Sequence, residues 1–242
     1  MYLSRVNVLA EQPGKLAEIL KADHYQLHQL LWRLFPALKE QAHRDFLFRR
    51  DDDKGYPVFY VLSPTEPSSL PGILAVESKE FNPQLKPGDL LRFTLRANPV
   101  EQTTKPRTRE EQDALFAERK KKGLRDKNVL PMKRVRHDVV MQLKKKLSDT
   151  ERTRYSQSEL EQRAGEAWLG KKAQKNGFEL LSVTAEGYQQ HHFKKRGIKI
   201  STLDFHGVLE VTEPGLFIQE AIYKGIGPAK AFGCGLLSLS RV

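Results

Sequence analysis

Hydrophobic and polar positions alternate from the start of the chain. Tyr2, Ser4, Val6 and Val8 fall on one side, Leu3, Arg5, Asn7 and Leu9 on the other, and this predicts a strand over residues 2–9. Pro13 and Gly14 then break the pattern. Leu27, Leu30, Leu31, Leu34 and Phe35 recur at helical spacing within residues 24–35, with Asp23 at the N-cap position and Pro36 as the stop. Residues 45–50 and 56–63 read as two strands joined by an acidic turn. Residues 73–81 read as another, after a Pro/Ser-rich stretch at 64–72 with room for a short helix. The order β-α-β-β-(α)-β is the ferredoxin-like pattern.

A second round follows Pro87 and Gly88. Leu91, Phe93, Leu95 and Ala97 alternate with Arg92, Thr94, Arg96 and Asn98, predicting a strand over residues 89–100. Residues 107–122 have a helical look, and residues 158–175 form a helix carrying Leu160, Ala164, Ala167, Trp168 and Ala173. Residues 178–184 are strand-like, and 191–196 with 198–211 read as a hairpin turning at Arg196 and Gly197. A helix over 213–224, capped by Thr212 and ended by Gly225, leads through a glycine-rich loop to a last strand at 236–239. The expectation is an α+β chain of two tandem ferredoxin-like domains, residues 1–88 and 89–242, the second interrupted by an insertion at about 101–150.

Charge changes the picture from fold to partner. The 242 residues carry a formal net charge of +11, and the usual partners of such a charge are nucleic acid or an anionic membrane. Residues 104–147 hold fifteen Lys/Arg and six Asp/Glu, a net +9. That run fits a solvated insertion, an electrostatic footprint for a phosphate backbone, or both. The basic segments lack the apolar face that a membrane-surface helix needs, and no run of 18 apolar residues is present. The opening residues carry no secretory pattern, and one cysteine, Cys234, cannot form an intrachain disulfide, so a cytoplasmic setting is expected.

Three features can carry chemistry. Residues 225–235 contain Gly225, Gly227, Gly233, Gly235 and Lys230, a loop that fits either a phosphate cradle or a turn that simply needs glycine. It follows a helix and precedes a strand, so it is not a dinucleotide fingerprint, and Lys230 is followed by Ala231, so it is not a Walker A loop. The segment around Lys194, Lys195, Arg196 and Lys199, with His191 and His192, puts cations on a short ribbon that fits a nucleic-acid groove or an exposed soluble hairpin. Of seven histidines, none pairs with cysteine at zinc-ligand spacing, and no metal or other cofactor is expected. His28 lies beside the apolar helix face, partly buried but reachable, with Tyr25 on the same side. It reads either as an ordinary helix histidine or as a proton carrier for attack of an RNA 2′-hydroxyl on the adjacent phosphorus.

Several of these segments together resemble the CasE (Cse3) family of CRISPR RNA-processing endoribonucleases of subtype I-E. They are residues 1–6, 25–36, 44–49, 93–99 and the loop 225–230 with 233–239. The resemblance is looser from 101 to 175. It implies two ferredoxin-like domains of the RAMP type and metal-independent cleavage at the 3′ base of a repeat hairpin. The implied products are a 2′,3′-cyclic phosphate and a 5′-hydroxyl, with the mature guide RNA retained alongside other Cascade subunits in the cytoplasm of a prokaryote. It implies a catalytic role for His28 and an active-site role for Tyr25. Lys194, Lys195, Arg196, Lys199, Gly225, Gly227, Lys230, Gly233, Gly235 and Arg96 are then the RNA-binding candidates, and Lys194, Lys195, Lys199 or Lys230 would stabilise the transition state. The alternative is a non-catalytic RNA-binding scaffold of the same fold. Binding to double-stranded DNA has no helix-turn-helix or zinc pattern behind it.

Overall fold

A computed structural model describes residues 1–9, 11, 13–36, 46–53, 55–123, 132–193 and 197–242. The first sheet has the order β2-β3-β1-β4, all neighbours antiparallel, from β1 (Tyr2–Val8), β2 (Leu47–Asp53), β3 (Tyr56–Ser63) and β4 (Leu74–Glu80). Val6 lies between Phe59 and Val76 in register and is fully buried, as the alternation of β1 predicts. Two helices cross over between β1 and β2: α1 (Pro13–Lys21) and α2 (His24–Trp32). Proline is tolerated in the first turn, where its missing N–H has no helical partner, so Pro13 starts a helix where the sequence pattern predicts a break. The start of α2 is set by a capping box. Asp23 accepts from the Gln26 amide at 2.8 Å, and the Gln26 side chain accepts from the Asp23 amide at 2.8 Å. Leu27, Leu31 and Leu34 bury against Phe46, Phe48, Phe59 and Val61. No helix stands between β3 and β4, where Pro64, Pro67 and Pro71 leave the chain in turns.

The second sheet has the order β10-β5-β9-β8, again antiparallel, from β5 (Leu90–Ala97), β8 (Phe178–Phe193), β9 (Ile198–Val211) and β10 (Leu237–Arg241). Both sheets thus have the ferredoxin-like strand order. The crossover helix between β5 and β8 is α6 (Gln157–Ala173), begun by a Ser156–Glu159 capping box and packed through Ala164, Trp168 and Leu169. Between β5 and α6 the chain inserts a ribbon of β6 (Val100–Pro106) and β7 (Met132–Asp138), with α3 (Arg109–Lys121) at its far end and α4 (Val139–Lys146) and α5 (Asp149–Arg152) on its return.

Two sequence expectations are corrected here. Residues 178–184 and 191–196 are not separate strands among the described residues, because β8 runs continuously to Phe193. A register irregularity between Glu186 and Gln189, with Gly187 at φ 71°, absorbs the interruption. The helix after β9 is not capped by Thr212. It begins at Pro214 as α7 (Pro214–Leu216) and widens into a π-helix (Phe217–Tyr223), with the Lys224 amide bonding the Gln219 carbonyl at 3.1 Å. That wider turn buries Phe217, Ala221 and Ile222 together.

The two sheets share a seam. Leu47 and Leu62 of the first sheet join the core of the second. Arg49, 7% exposed, holds Asp51 through two bonds at 2.8 and 2.6 Å, donates to Ser238 Oγ at 2.8 Å and lies over the Tyr60 ring. Asp51 matches the buried charge within the first sheet, and the bond to Ser238 ties that cation to β10 of the second.

Candidate functional site

The glycine loop is where the separate features converge. Gly225 has φ 75° and lies so close to the seam that an added Cβ would sit 2.7 Å from the Gly235 carbonyl and 2.7 Å from Leu47 Cδ1. Gly227 has φ 82° and lies against the Trp168 ring, while Gly233 faces the Phe48 ring. The Ile226 amide donates to Gly235, the Gly235 amide to Arg96, and the Phe232 and Gly233 amides to Ala229 and Lys230. These four donors are spent inside the protein, so the turn that needs glycine accounts for much of the loop. Lys230 begins a short 3-10 turn (Lys230–Phe232), is half-buried, and donates its Nζ to the Lys224 carbonyl. Burial pushes its ammonium pKa down.

This turn packs against α2 and β2. On its other side Phe232 meets Phe193 of β8, ring centroids 4.9 Å apart. The structure therefore brings α2, the loop and the tip end of the β8–β9 hairpin to one place. Lys194, Lys195 and Arg196 lie outside the described residues, and Lys199 is exposed on β9.

His28 is 3% exposed, not the reachable ring that its helix position predicts. It stacks on Phe46 with centroids 5.4 Å apart, and lies 6.0 Å from Phe48 and 6.2 Å from Trp32. Periodicity alone cannot show these rings, because Phe46 and Phe48 come from another element. Tyr25 is half-buried and accepts a bond from Gln29 Nε2 at 3.0 Å. Arg96 is committed to Asp204 on β9 through two bonds of 2.7 Å, which raise its pKa and match its charge within the sheet. Cys234 is fully buried, and burial pushes its thiol up to about 12, which leaves it unreactive.

Two adjoining clefts flank the loop and supply residues that the sequence pattern does not single out. One, of about 530 Å³, lies between β7, β9 and Phe232, lined by Asn98, Arg136, His192, Lys199 and Ser201 among others. The second, of about 500 Å³, is lined by Arg136, Lys171, Lys172, Lys175, Gly227 and Pro228. Arg136 belongs to both, and the alternation of Arg134 and Arg136 on β7 is a signal that could have marked it. Together they form a trough in which Arg136, Lys171, Lys172, Lys175 and Lys199 outnumber the carboxylates of Glu101, paired with Lys171, and Asp138, and the positive excess suits an extended polyanion. Among the described residues no group of three or more His, Cys, Asp or Glu is placed to hold a metal, and no helix is long and apolar enough to cross a membrane.

A family model described as CRISPR associated protein matches residues 1–241. The chain is 32% identical over 246 residues to the CRISPR system Cascade subunit CasE of Escherichia coli (strain K12), covering 99% of each. It is 27% identical over 239 residues to the CRISPR-associated endoribonuclease Cse3 of Thermus thermophilus, covering 90% of each. A solved structure of Thermus thermophilus Cse3, bound to an RNA representing a pre-cleavage complex, matches with a TM-score of 0.64 at 26% identity, over 99% of this chain and 98% of that one.

Proposed function

Because the chain belongs to the CasE (Cse3) family of CRISPR-associated proteins, we infer that it is an endoribonuclease that cuts CRISPR precursor RNA within the repeat hairpin and keeps the mature guide RNA as a Cascade subunit. The observation that carries this reading to the chain's own residues is the convergence of α2, the glycine loop and the β8–β9 hairpin beside a basic trough. A cytoplasmic place in a prokaryotic cell goes with that role.

The chemistry asks little of the protein. The RNA 2′-oxygen bonds to phosphorus, the bond from phosphorus to the 5′-oxygen breaks, one proton leaves the 2′-hydroxyl and one reaches the 5′-oxygen. The products are a 2′,3′-cyclic phosphate and a 5′-hydroxyl. Alignment of the strand, neutralisation of the charged phosphorane and a proton carrier suffice. His28 is the proposed carrier, with Tyr25 positioning the phosphate or the nucleophile. Lys230 on the loop is the proposed group to meet the developing charge, once its Nζ leaves the Lys224 carbonyl. The burial of His28 adds a requirement: RNA binding has to part the Trp32, Phe46 and Phe48 rings from one edge of the imidazole. The same burial is what favours the scaffold alternative, in which α2 serves only packing.

His28→Ala separates the two. The proposed mechanism expects single-turnover cleavage of a repeat hairpin in EDTA to fall by about 10²–10⁴ with RNA affinity little changed. An alanine variant that cuts at the wild-type rate removes His28 from the mechanism. A substrate with 2′-deoxyribose 5′ of the cut should bind and stay whole; its cleavage would exclude the 2′-hydroxyl as nucleophile.

A further inference from the structure

We propose that the cleft between β7, β9 and Phe232 takes one unpaired RNA base, with Asn98 and Ser201 as the groups that hydrogen-bond it. The inference rests on the RNA-processing reading above and adds a recognition site to it. Asn98 is 6% exposed and Ser201 4% exposed, and both line this cleft. The Oδ1 atom of Asn98 and the Oγ atom of Ser201 have no hydrogen-bond partner among the described residues, and both atoms are closed to solvent, so a base reaches them only when these side chains turn toward the cleft. Buried polar atoms are nearly always paired, and two orphans on one cleft mark a place where a ligand supplies the missing partners.

The chemistry of the pair selects the ligand. An amide and a hydroxyl are neutral and offer both donors and acceptors, which suits the edge of a base better than a phosphate. Arg136 and Lys199 outnumber the one carboxylate of the same cleft, Asp138, which already accepts from the Tyr188 hydroxyl, and they leave positive charge where the strand on either side of the base would pass. Phe232 and Ile198 supply apolar surface for the faces of the ring, and Phe232 is itself held by Phe193. A volume of about 530 Å³ is ample for one nucleotide and lies in the usual range for small-ligand sites. Because the cleft adjoins both the glycine loop and the hairpin, a base held there would anchor the strand next to the proposed cleavage centre.

The test uses the full-length protein and its repeat hairpin RNA, intact or with one abasic nucleotide at each unpaired position in turn. Wild type should lose about tenfold in affinity at one position and little elsewhere. Asn98→Ala and Ser201→Ala should each bind intact RNA about tenfold more weakly and be indifferent to the abasic change at that position. Ser201→Ala should melt at or above the wild-type temperature, because it deletes an unpaired hydroxyl and breaks no bond. That combination is not expected of a merely structural residue. Wild-type affinity in both variants, or variants that keep the full abasic penalty, would overturn the pocket while leaving the enzyme reading intact. Failure of wild type to bind and cut the intact hairpin would overturn both.

Discussion

Gly225→Ala tests whether the glycine loop is held by packing or left free to cradle phosphate. The substitution meets two separate obstacles. The backbone stands at φ 75°, where an L side chain costs about 1–2 kcal/mol. The new Cβ would also come within 2.7 Å of the Gly235 carbonyl and of Leu47, and relief of such overpacking costs about 1–3 kcal/mol. The sum is about 2–5 kcal/mol, which lowers the melting temperature by about 4–20 °C in a chain of this size. Two controls separate the contributions. Gly88 has φ 87° with nothing within 4 Å of a built Cβ, so Gly88→Ala carries the backbone cost alone. Gly170 lies in α6 with no positive φ and open space, so Gly170→Ala should stabilise by about 0.5–1 kcal/mol. Thermal melts of the three variants, with RNA affinity measured below each transition, give the comparison. Should Gly225→Ala melt no lower than Gly88→Ala, the loop is not pinned to the seam. An affinity loss without a stability loss would restore the phosphate cradle as its main role.

Two further outcomes follow from the site. Replacing Arg136 and Lys199 together with alanine should flatten the dependence of log affinity on log salt by roughly 0.7–0.9 for each phosphate no longer neutralised; an unchanged slope would take both cations off the RNA path. His191, bonded to Thr202 Oγ1 at 3.0 Å, has its pKa lowered first by burial and then by the Arg96 charge. A depressed histidine pKa means that the unfolded chain binds the extra proton more readily. The contribution is therefore complete above the ordinary histidine value and lost as pH falls through the folded value. Wild type should lose more melting temperature than His191→Gln between about pH 7.5 and about pH 5.5, the range in which an ordinary histidine titrates, and parallel curves would refute the assignment.

Local pattern carried much of the architecture. The alternation in β1 and β5, the apolar stripe and capping residues of α2, and the turn at Gly225 all depend on near neighbours, so they were legible along the chain. The strand order of each sheet followed from the succession of elements. What local pattern could not decide were outcomes of distant pairing. Gly187 separates two short strands on paper, yet a bulge carries β8 through it because β9 supplies a continuous partner. The helical look of residues 107–122 is met by α3, but the strands that flank it, β6 and β7, pair only because the intervening segment turns back on itself. The candidate site divides in the same way. Residue type and spacing were enough to mark His28, Tyr25 and the loop. The rings that bury His28, the carboxylate that claims Arg96, and the meeting of Asn98 with Ser201 in one cleft arise only when segments far apart in the chain are packed together.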